Sequence, residues 1–280
     1  MMHRAILTVA VLGLAAGAAW ADDDEGPSPL RTALYELDQM RDGRNTSYDK
    51  VEAGAQRLLK EYTKPEEHGK IYFTLASVYA QSAGNQAEPR AKAIQWCKKA
   101  LEFPLDIKSQ QRMCTYLGDS ISVSLPIANS RGEGWPALRR EAVVPYLRGL
   151  KALLPYDLPN EPITPPEPPA KIGRMIADPA DAEHQKRVEE YERQIEALRK
   201  IRFTNDLIEC REIQTRQIAG LYFKTPASDE LVALDELETI ARDVLQDDKA
   251  VANLIATVKA IEHEREQKRA ARAATTRPAP

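Results

Sequence analysis

Apolar residues recur three or four positions apart along most of the chain from residue 29 onward. In residues 29–41, for example, Leu30, Leu34 and Leu37 fall on one side of a helix. The same spacing predicts eight further helices. They cover residues 48–62, 65–81, 92–103, 109–123, 136–153 and 180–223, with two more that begin after Ser228 and at Asp247–Asp248. The pattern therefore predicts an all-α protein.

Prolines are densest in the stretch PYDLPNEPITPPEPP of residues 155–169, where the helical pattern is lost. No helix or central strand tolerates proline at this density, so the stretch predicts an extended linker or a strap along the surface. It also predicts a division of the chain. The predicted parts are a helical hairpin domain at 22–154, a Pro-rich linker at 155–177, a region with one long and two shorter helices at 178–266, and a disordered tail at 267–280.

The first 21 residues have the pattern of a secretory signal peptide. Arg4 precedes an apolar run over residues 5–18, and Ala19-Trp20-Ala21 matches a small-residue cleavage site. The run is short for a membrane span, and the acidic residues 22–25 follow it at once. We therefore expect residues 1–21 to be removed and the protein to be exported to the periplasm or the exterior, without a membrane anchor.

The composition is typical of a helical protein, and the net charge bears on whether the chain binds nucleic acid. Ala, Leu, Glu, Lys and Arg are abundant, aromatic residues make up 6% of the chain, and the formal net charge is −3. A mildly acidic net charge gives no indication of nucleic-acid binding.

Two successive helix pairs share a spacing of small and large residues. In the first pair the positions are Tyr72, Leu75, Ala76 and Tyr79, then Ala93, Cys97 and Ala100, with Pro104 at the end. In the second pair they are Cys114, Leu117, Gly118 and Ile121, then Ala142, Tyr146 and Gly149, with Pro155 at the end. Small residues at matching positions allow two helices to approach closely, while large neighbours fill the grooves.

On these positions, residues 69–155 resemble two tetratricopeptide-like (TPR-like) hairpins. The loops inside the pairs are longer than the family's, and neither pair has a Trp at the first signature position. The full layout looks like uncharacterised exported bacterial proteins with such a region. The resemblance implies a short curved array that binds a protein or an extended peptide on its concave face.

The resemblance also implies which side chains face that groove. They occupy the second, fifth and ninth positions of the first helix of each pair: Lys70, Phe73 and Ser77, then Arg112, Thr115 and Asp119. A mixture of cation, aromatic ring and hydroxyl suits an extended peptide or a protein tail.

The three cysteines are Cys97, Cys114 and Cys210. Export exposes them to an oxidising compartment. The helices that carry Cys97 and Cys114 pack together in the family's geometry, so the resemblance allows a disulfide between them. The alternative is that both are buried free thiols, which are common in protein cores.

No catalytic or metal-binding motif is present. His68, His184 and His263 lie apart, there is no H-E-x-x-H, C-x-x-C, G-x-S-x-G or phosphate-binding glycine loop, and paired acidic residues have the spacing of solvated helix faces. We therefore expect no catalytic residues, no metal and no cofactor.

Three functions follow in order of preference. The first is an exported binding module for a protein or peptide. The second is a self-associating scaffold, because Val188, Tyr191, Ile195 and Leu198 form a narrow apolar seam on the long helix, although two heptads are too few for a stable coiled coil. The third is a hydrolase of an envelope polymer, for which a pocket with two converging carboxylates would be required.

Overall fold

The computed structural model describes residues 28–42, 45–84, 86–123, 135–167, 182–222 and 230–275. Within these ranges the chain forms nine α-helices and one short 3-10 helix, Leu154–Tyr156, and no strand. The helices are α1 Pro29–Gln39, α2 Tyr48–Glu61, α3 Pro65–Ser82, α4 Ala87–Ala100, α5 Ile107–Val123, α6 Trp135–Leu153, α7 Ala182–Tyr222, α8 Glu230–Leu245 and α9 Asp248–Thr275. The predicted all-α class is confirmed. The predicted signal peptide, residues 168–177 of the linker and residues 276–280 lie outside the described residues.

Several helices begin where side chains supply the missing hydrogen bonds of a helix start. The Ser28 hydroxyl accepts the Arg31 N–H at 3.2 Å before α1. The Glu67 carboxylate accepts the Lys64 N–H at 3.0 Å in the first turn of α3. The Asp247 carboxylate accepts the Ala250 N–H at 2.9 Å at the start of α9. Such caps satisfy backbone donors that have no partner inside the helix.

The last helix is longer than the sequence predicted. Helix α9 continues past Glu266 to Thr275, into the segment for which we expected a disordered tail. Ala, Arg and Lys dominate this segment, and they are strong helix formers even without an apolar face to bury. Loss of apolar periodicity therefore marked the end of packing and not the end of the helix.

Consecutive helices pack as pairs, and the pairs stack in chain order. Helix α1 contacts α2, α3 contacts α4, α5 contacts α6 and α7 contacts α8. Along the stack, α1 contacts α3, α3 contacts α5, α5 contacts α7 and α7 contacts α9. The odd-numbered helices therefore form one continuous layer.

Two hydrophobic cores lie within this stack. The first core joins α1, α2, α3 and α4 through residues such as Leu37, Val51, Leu75 and Tyr79. The second core runs from Phe73 of α3 to Val258 of α9 and includes residues of every helix between them. It therefore includes residues on both sides of the predicted boundary at 155–177. The division into two folding units stays a prediction.

Two glycines lie where neighbouring side chains press against the backbone. A Cβ at Gly118 of α5 would stand 2.6 Å from Cε2 of the Tyr146 ring on α6, and one at Gly149 of α6 would stand 2.6 Å from Oε1 of Gln214 on α7. Real Cβ atoms do not approach so closely. The sequence predicted that these two small residues allow close helix approach, and the structure confirms it.

Candidate binding surface

The predicted groove residues on α3 lie in two different environments. Lys70 is exposed, whereas Phe73 and Ser77 are buried. The Phe73 ring belongs to the second core, and the Ser77 hydroxyl donates to the Phe73 carbonyl oxygen at 2.8 Å. Helix α3 contacts α1, α2, α4 and α5, so most of its surface is covered. Of the three, Lys70 is the residue that solvent reaches freely.

The predicted groove residues on α5 are half-buried, and Thr115 and Asp119 already have hydrogen-bond partners. The Asp119 carboxylate accepts a hydrogen bond from the Tyr146 hydroxyl at 2.6 Å. Burial raises the pKa of the Asp119 carboxyl, and the Tyr146 hydrogen bond partly offsets that rise. The Thr115 hydroxyl lies 3.4 Å from Nε2 of Gln214. Arg112 is half-buried beside them. A binding role for the six residues stays a prediction.

A buried pair of glutamines joins three helices next to this face. The Gln111 amide nitrogen donates to the Gly149 carbonyl oxygen at 2.9 Å, and Gln214 Nε2 donates to Gln111 Oε1 at 2.8 Å. Both glutamines are fully buried. These bonds connect α5, α6 and α7 at the point where Gly149 permits close approach. Sequence reasoning missed the pair, because a glutamine inside an amphipathic helix gives no signal until its neighbours are known.

An ionic cluster joins α6 to α8. Glu236 pairs with Arg139, and also with Arg140 at 2.8 Å. The Arg139 guanidinium lies 4.6 Å from the centre of the Tyr222 ring. Arg139 is buried, and its pairing with Glu236 offsets the free-energy cost of placing a charge there. The cluster links α6 to α8 through the buried Arg139 and the poorly exposed Glu236, while the Arg140 side chain remains exposed to solvent.

All three cysteines are free thiols in the structure, with Cys97 and Cys114 buried and Cys210 half-buried. Burial raises the pKa of Cys97, and the neighbouring Cys114 adds to the effect. Burial raises the pKa of Cys114 to about 12 and that of Cys210 to about 11. Protonated thiols are poor nucleophiles. The proposed Cys97–Cys114 disulfide stays a prediction.

An extended segment crosses the surface of α7. Residues 157–167, called the strap below, follow the 3-10 helix and contain no helix or strand. Asp157 begins the strap in the left-handed region, with φ 45° and ψ 52°. The structure describes residues 157–167 of the Pro-rich stretch, and the linker expected over 155–177 stays a prediction.

Two side chains of α7 hold the strap by its main chain. The Asn205 side chain accepts the Ile163 N–H at 2.8 Å and donates to the Ile163 carbonyl oxygen at 2.8 Å. Arg211 donates to the carbonyl oxygens of Leu158, Pro159 and Asn160 at 3.2, 2.6 and 3.2 Å. We call Asn205 and Arg211 the strap site. All five hydrogen bonds go to backbone atoms, so none depends on the identity of a strap side chain.

Charged and aromatic groups flank the strap site. Lys108 of α5 pairs with Asp206 at 2.8 Å and lies 5.2 Å from the centre of the Phe203 ring. The Tyr156 ring, just before the strap, lies 6.2 Å from that of Phe203. Sequence reasoning missed this site. The available signal was the Pro-rich stretch itself, whose carbonyl groups need donors wherever it lies against the protein.

Two shallow, open surface grooves also lie along α7, mainly on its amino-terminal half. The first is an open groove whose lining comes from that single helix: Glu189, Glu192, Arg193, Glu196, Ala197 and Lys200. The second overlaps it and reaches Phe203 and Thr204. In both grooves carboxylates alternate with cations along the helix.

The described ranges contain neither a candidate metal site nor a candidate membrane-spanning helix. No group of three or more His, Cys, Asp or Glu residues stands together there in a way that could hold a metal ion. None of the described helices is long and apolar enough to cross a membrane. No protein-family model, no curated protein and no solved structure matches this chain.

Proposed function

We propose that this chain is an exported, TPR-like helical-repeat module that binds a protein or an extended peptide. The observation that supports it most is the stacking of helix pairs in chain order, with the odd-numbered helices in one layer. Arrays of this kind present extended surfaces to which partners bind. The two hairpins inferred from sequence correspond to the pairs α3–α4 and α5–α6, and α7–α8 continues the stack.

The groove in this proposal lies beside Lys70 and Arg112. Lys70 is exposed on α3, Arg112 is half-buried on α5, and α3 contacts α5 directly. The two cations therefore stand on adjacent helices of one layer, where a partner with acidic or carbonyl groups would meet both. Phe73 and Ser77 are buried, so they stabilise this surface by packing and do not contact the partner.

Site-specific photo-crosslinking in the native cell envelope tests the proposed surface. A photoreactive residue at position 70 or 112 should capture the same partner from both positions. Positions 57 and 98 serve as controls, because Arg57 and Lys98 are exposed on α2 and α4. Equal capture from the control positions, or different proteins from positions 70 and 112, would contradict the proposal.

Export is the second part of the proposal, and it rests on the pattern of residues 1–21. Fractionation of the native host, followed by mass measurement of the intact chain, tests it. We expect a mature chain that begins at Asp22 in the exported fraction. A full-length chain that begins at Met1 in the cytoplasmic fraction would exclude this part of the proposal.

Self-association is the alternative, favoured by one observation on α7. Val188, Tyr191, Ile195 and Leu198 are half-exposed, and the residues between them are mostly exposed and charged. Light scattering of the full chain should then show a dimer that Ile195→Glu converts to a monomer, while Arg199→Glu on the same half leaves it intact. A monomer at high concentration would remove this alternative.

A hydrolase of an envelope polymer is the least favoured function. The sequence offers no motif for it, and the carboxylates in the grooves along α7 alternate with cations on one exposed helix. We propose no catalytic residue.

A further inference from the structure

The strap is attached to α7 through hydrogen bonds to its main chain. Residues 159–167 are all exposed, and Ile163, its most apolar side chain in that range, is 37% exposed. Leu158 is half-buried. Leu158 and Ile163 therefore bury part of their apolar surface, and five hydrogen bonds with the Asn205 and Arg211 side chains hold the main chain of the strap.

These hydrogen bonds recognise an extended backbone. Asn205 engages both the N–H and the carbonyl of a single residue, as a neighbouring peptide group would in a sheet. Arg211 reaches three consecutive carbonyl oxygens, which a helical segment would have used internally. The segment runs from Arg211 toward Asn205, opposite to the direction of α7. A second extended segment of the same length would satisfy the same donors and acceptor.

The chemistry favours a proline-rich occupant. Pro159 and Pro162 have no N–H, so they leave no unpaired donor against the helix, and their carbonyls remain available to Arg211 and solvent. Proline also pre-orders the extended polyproline conformation, which lowers the entropy lost on docking. One residue must keep its N–H, because the Asn205 side-chain oxygen accepts it. In the strap that residue is Ile163.

We propose that the strap site is a docking site for an extended, proline-rich peptide segment of another protein, and that residues 158–163 occupy it in cis until such a segment displaces them. The inference rests on the proposed binding function and adds to the surface beside Lys70 and Arg112 a second site with a stated class of partner. Because the strap is tethered, its effective concentration at the site is on the order of millimolar, so a partner binds weakly unless the strap is released.

Competition with the wild-type chain gives the direct test. The probe is the synthetic peptide DLPNEPITPPE, which reproduces residues 157–167. Hydrogen exchange of the Ile163 amide reports whether the strap is seated, since Asn205 accepts that N–H. Millimolar peptide should speed this exchange at least about fivefold by displacing the strap. The same peptide with proline at the Ile163 position should not, because it lacks the required donor.

A strap-replaced variant makes the site available directly. Residues 158–163 are exchanged for a Gly/Ser segment of equal length, and circular dichroism checks that the helices remain. Fluorescein-labelled DLPNEPITPPE should bind this variant at least tenfold more tightly than it binds the wild-type chain. Adding Asn205→Ala and Arg211→Ala should abolish binding. Adding Lys200→Ala, an exposed change on the same helix, should leave binding unchanged.

Two outcomes would overturn the inference. One is an Ile163 exchange rate that millimolar peptide leaves unchanged in the wild-type chain, which would make the strap a permanent structural connection. The other is a folded strap-replaced variant that binds no peptide, or binds it equally well without Asn205 and Arg211. Neither outcome involves crosslinking at positions 70 and 112. The experiments therefore distinguish a failure of this inference from a failure of the proposed function.

Discussion

The two halves of α7 belong to one continuous helix and yet have opposite surroundings. From residue 185 to residue 200 every side chain is exposed or half-exposed, and the contacts are pairs such as Glu196 with Lys200. From residue 207 to residue 222, Leu207, Ile208, Ile218 and other side chains are fully buried against the neighbouring helices. Both halves have apolar residues at helical spacing.

The difference shows that apolar spacing predicts a helix but not what the helix packs against. In the carboxyl-terminal half, Gly149 on α6 leaves room for the Gln214 side chain, and Gln111 on α5 accepts a hydrogen bond from Gln214 Nε2. In the amino-terminal half no described helix supplies such a partner for the seam from Val188 to Leu198. Packing energy should therefore be concentrated in one half, and the following experiments test that expectation.

The largest contrast should come from matched truncations of isoleucine. Ile218→Ala removes a fully buried side chain from the second core and should lower the free energy of unfolding by about 2–5 kcal/mol. Ile195→Ala, in the exposed half, should cost less than about 1 kcal/mol. Urea denaturation measures both. Equal losses would show that the amino-terminal half is packed as tightly as the other.

The alkylation rates of cysteines in the two halves of α7 should show the same contrast without any change in the fold. Burial raises the pKa of Cys210 to about 11, so its thiolate fraction at pH 8 is small. Iodoacetamide should modify Cys210 roughly 100-fold more slowly at pH 8 than a cysteine introduced by Ala197→Cys, whose exposed thiol keeps an ordinary pKa. The Cys210 rate should rise with pH up to about 11. Peptide-resolved mass spectrometry separates the sites, and equal rates would contradict the burial.

Disruption of the buried glutamine pair should cause the next largest change, a loss in the free energy of unfolding. Gln214→Leu keeps the side chain's approximate volume but leaves Gln111 Oε1 without its 2.8 Å donor. We expect a loss of about 1–3 kcal/mol in the free energy of unfolding, because an unpaired buried acceptor is costly. Gln194→Leu in the exposed half is the matched control and should change stability by less than about 0.5 kcal/mol. A loss of stability no larger than that of the Gln194→Leu control would show that Gln214 does not stabilise the helix stack.

The smallest effect should come from an exposed ion pair. Glu196→Gln removes the attraction to Lys200, whose Nζ lies 3.7 Å from Glu196 Oε1, and should weaken the amino-terminal half of α7 by about 0.3–0.5 kcal/mol. Amide exchange over residues 190–200 reports this local change better than global unfolding does. The effect should vanish at about 1 M salt, where exposed charges are screened. An effect that persists in salt would indicate a packed environment.

The candidate sites were predictable to different degrees. The resemblance to a repeat family supplied Lys70 and Arg112 as groove residues, and solvent reaches both at least in part. It also supplied Phe73, which the structure buries because α5 and its neighbours cover that side of α3. The strap site was not predictable, since Asn205 and Arg211 are ordinary polar residues of a long helix until the strap is placed beside them.

Sequence alone determined the helical class, the approximate helix positions and the lack of a helix in residues 157–167, because these depend on local spacing and on proline's missing N–H. It also determined that Gly118 and Gly149 are positions of close approach. Tertiary structure decided which apolar faces are covered, which polar side chains meet, and where the strap lies. Those outcomes depend on contacts between residues distant in the chain, such as Gln111 with Gln214 and Ile163 with Asn205, and no local pattern specifies them.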